Sequence, residues 1–209
     1  MYCDQMMIRN IVFDIGNVLA AFRWDDYIRY NLGYPEEVVK TFGERFIIHP
    51  LWDEFDLGVR KTDDIIADMK ATVPEYTEEV NAFFEHIVDI VETYPYSRRW
   101  IKELKQRGYR IYLLSNYPRR TFRIHERERF DFVDLIDGKV VSGFERLAKP
   151  DPEIYRLLFE RYQIIAEECV FLDDRQVNID AAICMGMQGI LFTGYEDASR
   201  KLEEILKAE

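Results

Sequence analysis

The sequence predicts an α/β fold built on a parallel sheet, with a block of helices inserted after the first strand. Three observations carry this expectation. The short apolar runs "IRNIVF", "YRIYLL", "CVFLD" and "QGILFT" are continuous rather than alternating, as strands covered on both faces should be. Helical patterns lie between the later runs, and strands alternating with helices build a parallel sheet. The interval from roughly Ala21 to Tyr94 breaks the alternation with successive helical patterns and no strand.

In chain order, "IRNIVF" ends in Asp14. The interval that follows reads as a four-helix insertion that includes "PEEVVKTFGERF", "KTDDIIADMK" and "TEEVNAFFEHIVDIVETY", punctuated by Pro35, Gly58 and Pro74. Thr62 is read as an N-cap, with acids in the first turn behind it. "SRRWIKELKQRG" stops at Gly108, before "YRIYLL". "RRTFRIHERERF", residues 119 to 130, reads as a solvated helix face. "PEIYRLLFERY" leads to "CVFLD"; there Asp151 caps the helix and Pro152 takes the first turn, where its missing N–H costs nothing. "QVNIDAAICMG" ends at Gly186, "QGILFT" is the last strand, and "DASRKLEEILKAE" closes the chain. The expected organisation is a core of residues 1–20 and 95–209, and an inserted helical unit of residues 21–94.

Composition narrows the function classes. The 209 residues carry a formal net charge of -11, which repels a polyanion, so nucleic acid is not an expected partner. A small anion is compatible if a metal or lysine inverts the sign locally. Cys3, Cys169 and Cys184 form no disulfide framework, and Cys169 and Cys184 read as packed thiols in apolar segments. His49, His86 and His125 make no zinc pattern. No apolar run reaches the length of a membrane span, and "MYCDQMM" has no signal-peptide pattern, so a cytoplasmic protein with no membrane partner is expected, monomer or homodimer.

In an open parallel sheet, ligands bind outside the carboxyl ends of the strands. The polar residues at those ends are Asp14 after "IVF", Ser115 and Asn116 after "IYLL", and Asp173 and Asp174 at the end of "CVFL". Lys149 lies just before a helix start. Each alone has an ordinary structural reading as a turn, a cap or a solvated charge. Together, on strands of one sheet, they suit phosphoryl transfer. A phosphate ester repels a carboxylate unless a divalent cation bridges them, and magnesium takes oxygen ligands. Asp14 and Asp174 each offer a metal oxygen, and Asp173 binds directly or through water. Ser115 and Asn116 offer hydrogen bonds to phosphate, and Lys149 adds a cation. Asp14 is placed to attack phosphorus.

These residues resemble the haloacid dehalogenase-like hydrolase superfamily over nearly the whole chain. "FDIGNVL", "LLSN", "KPDPEIY" and "FLDDRQVNIDAA" look like its four motifs in order, and the inserted helices look like its small helical cap, with "LWDEFDLGVRKTDDI" a recurring cap segment. The resemblance implies a Rossmann-like core. It also implies that Asp14 is the nucleophile and a metal ligand, that Asp173 and Asp174 form the metal site, and that Ser115, Asn116 and Lys149 hold phosphate. Asn178 either orders the loop after Asp174 or is simply polar in the next helix. Most phosphatases of this family carry a second Asp two places after the nucleophile, as general acid and base, whose backbone carbonyl binds the metal. Gly16 keeps the carbonyl and lacks the acid. The same Asp-x-Gly-Asn-Val pattern occurs in the glucose-1-phosphatase-like branch.

The expectation is therefore a magnesium-dependent phosphatase of a small phosphorylated metabolite, a sugar phosphate esterified at its anomeric oxygen. The alternatives are a metal-independent 2-haloacid dehalogenase, which does not keep the acid pair, and a non-catalytic phospho-ligand binder. A receiver-type signalling domain fits the motif order poorly, and no Gly-rich dinucleotide fingerprint follows the first strand. Arg23, Arg45, His49, Trp52 and Phe55 are the candidate specificity contacts from the insertion.

Overall fold

The apolar runs become strands because their side chains can be buried on two faces at once. In a computed structural model, which describes residues 7–207, seven strands form: β1 (Asn10–Phe13), β2 (Ala20–Phe22), β3 (Val91–Thr93), β4 (Arg110–Ser115), β5 (Gly138–Val141), β6 (Cys169–Asp173) and β7 (Gln188–Leu191). Five of them make one parallel sheet in the order β5-β4-β1-β6-β7. Along β1 the residues alternate between two apolar layers. Ile11 and Phe13 join Ile111, Leu113, Val170 and Leu172 on one face. Val12 joins Tyr112, Leu114 and Phe171 on the other. Burying such side chains stabilises the fold by about 1.5–3 kcal/mol each. The sequence reading missed β5, whose four residues begin with glycine and lysine.

The insertion begins and ends in a ladder that the sequence reading also missed. β2 and β3 pair antiparallel, Ala20 opposite Thr93 and Phe22 opposite Val91. Three residues each are too few to show a period. Between them run α1 (Trp24–Asp26), which continues as a wider turn to Asn31, α2 (Glu36–Phe42), which continues likewise to Ile47, α3 (Leu51–Leu57), α4 (Thr62–Thr72) and α5 (Thr77–Glu85). The three named helical patterns fall on α2, α4 and α5, and α3 and the single turn α1 lie outside them. "HIVDIVETY" turns and enters β3 instead of extending α5. Thr62 is the first residue of α4 rather than its cap: Lys61 holds the cap position, with no side-chain bond to the helix end. Aromatic rings fill the space between these helices, with Phe42 and Phe46 4.4 Å apart, Trp52 and Phe55 5.3 Å, and Phe46 and Phe83 5.5 Å.

Helices cover both faces of the sheet. α6 (Ser97–Gln106) turns Trp100, Ile101 and Leu104 onto the Phe13 layer. α7 (Arg119–Glu128) is amphipathic rather than a purely solvated face, since it buries Thr121, Phe122 and His125. α8 (Ser142–Glu145) is a single turn after β5. α9 (Pro152–Tyr162) packs Ile154, Tyr155 and Leu158 on the opposite layer, with Asp151 capping it as expected by accepting from the Glu153 N–H at 2.9 Å. α10 (Gln176–Cys184) and α11 (Tyr195–Lys207) complete the layers. Cys169 is buried, but Cys184 is exposed, against the expectation of two packed thiols, because it falls on the outer side of α10. Cys3 lies outside the described residues. Among the described residues no helix is long and apolar enough to cross a membrane.

One glycine fixes how the insertion meets the core. Gly58 ends α3 in the left-handed region at φ +63, and a Cβ there would stand 2.5 Å from the Gly143 carbonyl oxygen at the start of α8. Gly58→Ala is expected to destabilise the protein by about 1–3 kcal/mol, from the left-handed penalty together with displacement of the backbone. Thermal unfolding checks this; an unchanged midpoint would show that the contact is not tight.

Candidate active site

Three strand tips meet because β1, β4 and β6 are neighbours. Asp14 follows β1, Ser115 ends β4, and Asp173 ends β6, with Asp174 next. Asp14, Ser115, Lys149 and Asp173 are all buried. Lys149, from the loop before α9, places Nζ 2.9 Å from Asp14 Oδ1 and 2.5 Å from Asp173 Oδ2. The contact to Asp173 is an aligned hydrogen bond. The contact to Asp14 is ionic but off the hydrogen-bond direction, so Asp14 Oδ1 is a buried oxygen without an aligned donor.

Asp173 is held from several sides. The Arg175 N–H donates to its Oδ1 at 2.8 Å, and Asn178 Nδ2 donates to both oxygens at 3.0 and 3.1 Å. Asn178 is buried in the first turn of α10, and its carbonyl accepts from the Tyr155 hydroxyl at 2.9 Å. Asp174 is more open and accepts from Asn17 Nδ2 at 2.9 Å. Asn17 has φ +56, a left-handed conformation that asparagine tolerates better than most residues. The sequence reading gave Asn17 no role, although an asparagine just past a strand tip was the available signal.

Charge follows from this packing. Burial, and after it the Asp173 carboxylate, push the Asp14 carboxyl up to about 6, against the opposing pull of Lys149 and Ser115. Burial pulls Lys149 down, but Asp14 and Asp173 outweigh it and hold the ammonium above its ordinary value. Asn116 also engages the backbone of Lys149. Its Oδ1 accepts from the Lys149 N–H at 2.8 Å and its Nδ2 donates to the Lys149 carbonyl at 2.9 Å, a reciprocal bracket that fixes where the lysine stands.

A cavity of about 280 Å³ opens over Asp14. Asp14, Gly16, Asn17 and Asn116 line it from the core, and Phe22, Ile47, Trp52, Ile87 and Val91 line it from the insertion and its stem. Its polar members beyond the strand tips include Asp56 and His125. His125 is engaged at both ring nitrogens: the Ile87 carbonyl, 2.6 Å away, requires a proton on Nε2, which leaves Nδ1 to accept from the Tyr117 hydroxyl at 2.5 Å. Burial pushes His125 below its ordinary value, so it is neutral.

Of the five specificity candidates, only Trp52 lines this cavity. Its Nε1 donates to the Phe46 carbonyl at 2.6 Å, so it presents an apolar ring. Arg23 pairs with Asp26 and Glu92, and Arg45 with Glu75 and the Thr72 carbonyl. His49 Nδ1 accepts from the Leu51 N–H, and Phe55 is buried among aromatic rings.

The model of the haloacid dehalogenase-like hydrolases matches residues 8–186 of this chain. The chain belongs to that family. Among curated proteins, the sesquiterpene phosphatase astK of Aspergillus oryzae is 27% identical over 182 residues, which cover 87% of this chain and 88% of that protein. The phosphorylated carbohydrates phosphatase of Thermotoga maritima is 26% identical over 185 residues, 86% of this chain and 82% of that protein. Among solved structures, a HAD family enzyme of Bacteroides thetaiotaomicron in complex with magnesium and inorganic phosphate superposes with a TM-score of 0.70 at 20% identity, covering 93% of this chain and 98% of that one.

In this HAD-like hydrolase the donor set fits a divalent cation. Asp14, Asp173 and Asp174 each offer an oxygen, and these atoms lie within 4.8 Å of one another. Three carboxylates against the one Lys149 ammonium leave a formal charge of about −2 if all are ionised, which one divalent ion neutralises. All the donors are hard oxygens, which suit magnesium. Both Asp173 oxygens already accept protein hydrogen bonds, so Asp14 and Asp174 are the freer ligands. At Gly16, a Cβ would meet nothing within 4 Å, so the space that a second acid would occupy is open.

Proposed function

We propose that this hydrolase is a magnesium-dependent phosphatase that works through an aspartyl-phosphate. The observation that carries the reading is the buried Asp14–Lys149–Asp173 cluster, with Asp174 beside it, at adjacent strand tips under a cavity. Asp14, Asp174, the Gly16 carbonyl and, directly or through water, Asp173 would hold magnesium, which when bound screens the carboxylates from the incoming phosphate. An Asp14 oxygen attacks phosphorus and the ester P–O bond breaks. Lys149 neutralises charge between nucleophile and phosphate, and the Ser115 hydroxyl donates to a phosphate oxygen. Water then attacks phosphorus, releasing phosphate and restoring the Asp14 carboxylate. Residues 21–94 act as the cap over the core of residues 1–20 and 95–209 and supply most of the apolar wall.

That wall bears on the substrate. Gly16 argues for a good leaving group, such as the anomeric oxygen of a sugar phosphate. The cavity lining argues for an apolar organic group, because Phe22, Ile47, Trp52, Ile87 and Val91 offer few partners to sugar hydroxyls. Both substrate kinds occur in the names of the relatives. A panel of hexose monophosphates and of monophosphates of apolar alcohols decides between them by kcat/KM.

Chelation provides the direct test of the reaction class. Hydrolysis of p-nitrophenyl phosphate is expected to fall by at least about 10²-fold in EDTA and to return with magnesium, since a catalytic metal supplies several kcal/mol. Turnover that ignores EDTA, or halide release from a 2-haloacid, would overturn the reading.

A further inference from the structure

The leaving oxygen needs a proton, and position 16 cannot give one. Resting on the phosphatase reading, we propose that Asp56, carried by α3 of the insertion, is the general acid and base of this active site. Asp56 lines the cavity over Asp14 together with Gly16 and Asn17. It also lines the adjoining cavity with Asn116, Lys149 and Arg175. It therefore stands on the wall shared by the two spaces that border the nucleophile and the lysine.

Its backbone is anchored to the core. The Asp56 carbonyl accepts from the Ser142 hydroxyl at 2.5 Å, and that hydroxyl accepts from the Tyr117 N–H at 2.9 Å, directly after the Ser115–Asn116 tip. The Gly58–Gly143 contact lies two residues on. The side chain, in contrast, is unengaged: among the described residues no donor hydrogen-bonds to its carboxyl and no cation pairs with it. Carboxyls in protein interiors are ordinarily bonded, and one left open toward a cavity is available to a ligand. The charged groups that bear on it most are Asp53 one turn earlier on α3, Asp14 after β1, Lys149 before α9 and Arg175 before α10, and Arg146 and Asp151 line the same adjoining cavity. Burial, then the two carboxylates, outweigh Lys149 and Arg175 and push Asp56 up to about 7. A protonated carboxyl does not repel a phosphate, and a group that titrates near neutral pH is suited to both halves of the reaction.

The steps balance. As Asp14 attacks phosphorus and the ester P–O bond breaks, the leaving oxygen takes the Asp56 proton and departs as the alcohol. The Asp56 carboxylate then takes a proton from water as that water attacks the aspartyl-phosphate. The Asp14–phosphate bond breaks, phosphate leaves, and both acids return to their starting forms. With this donor the leaving group need not be an activated sugar, which agrees with an apolar cavity.

The test compares Asp56→Asn with wild type on p-nitrophenyl phosphate and on alkyl phosphates, with magnesium present. Turnover of alkyl phosphates is expected to fall by about 10²- to 10⁴-fold, mainly in kcat. A pre-steady-state burst of p-nitrophenolate, whose leaving group needs no proton, is expected to survive. Adding Gly16→Asp to Asp56→Asn is expected to restore part of the alkyl turnover. Asp56→Glu keeps a carboxyl in a displaced position and is expected to show the same ester dependence in milder form, which keeps the test open if the asparagine variant does not fold. A p-nitrophenolate burst slowed as much as the alkyl turnover, or no loss on any ester, overturns the assignment while leaving the phosphatase reading intact. A wild-type protein that releases no p-nitrophenolate overturns that reading and the assignment with it.

Discussion

Asp14→Asn is expected to lower kcat for phosphate esters by about 10⁴- to 10⁶-fold, the scale seen when a covalent nucleophile is removed. That corresponds to roughly 5–8 kcal/mol of barrier. The same substitution is expected to raise stability in metal-free protein at pH 8. Asp14 has its carboxyl pushed up to about 6 in the fold, against 3.8 for the ordinary group. Below about pH 4 the group is protonated in both folded and unfolded chains and its burial carries no ionisation cost. As pH rises from about 4 through 6, the unfolded chain ionises first and stability is lost. Asparagine cannot ionise and escapes that loss, so the variant gains on the order of 2 kcal/mol at pH 8, and the gain fades toward pH 4. Magnesium is expected to reverse the order, since it binds the folded wild type and loses a ligand in the variant. Thermal melts across pH, with EDTA and with magnesium, check both signs. A variant that turns over like wild type would remove Asp14 from the reaction.

Lys149→Met is expected to damage activity and fold together. The Lys149 side chain is 1% exposed, and its ammonium stands between Asp14 and Asp173. Its removal leaves two buried carboxylates facing each other without a cation, a change that typically costs about 3–5 kcal/mol. For a chain of this size that lowers the melting midpoint by roughly 6–20 °C. Turnover is expected to fall by about 10²- to 10³-fold or more with the loss of charge stabilisation at phosphorus. Magnesium is expected to recover part of the stability but not the rate, because a divalent ion replaces charge and not position. Lys149→Arg should not rescue either, since the forked guanidinium does not fit a closed site shaped for a single ammonium. A methionine variant with an unchanged midpoint would mean that the two carboxylates do not depend on this cation.

Much of this site was legible in the sequence because its parts stand where chemistry and topology coincide. Asp14, Ser115 and the Asp173–Asp174 pair each end an apolar run, and a parallel sheet brings such ends together when the runs are neighbours. What the sequence withheld was mostly a matter of length or of distant contacts. β2 and β3 are three residues long, too short to set a pattern, and β5 opens with glycine and lysine, which breaks its apolar run. Asn116 also brackets the Lys149 backbone thirty-three residues away with both ends of its amide, a pairing that no local pattern announces. Arg23 and Arg45 are of suitable types for phosphate, yet each is drawn into surface ion pairs on its own side of the insertion. Asp56 is one of three acids in "LWDEFDLG", and nothing local distinguishes it from Asp53 or Glu54. It gains its position only when α3 is pressed against the core through Gly58 and Ser142.

The β2–β3 ladder has a bearing on how this enzyme can diversify. Because the chain leaves and rejoins the sheet through two adjacent segments, everything between them can be exchanged as one block without redrawing the topology of the rest. In many such arrangements a transplant would alter only selectivity. Here the block also carries Asp56, so a graft from a relative that holds its proton donor beside the nucleophile is expected to yield a chimera that forms the phospho-enzyme readily only from esters with activated leaving groups and is slow to hydrolyse it, until an aspartate is placed at position 16.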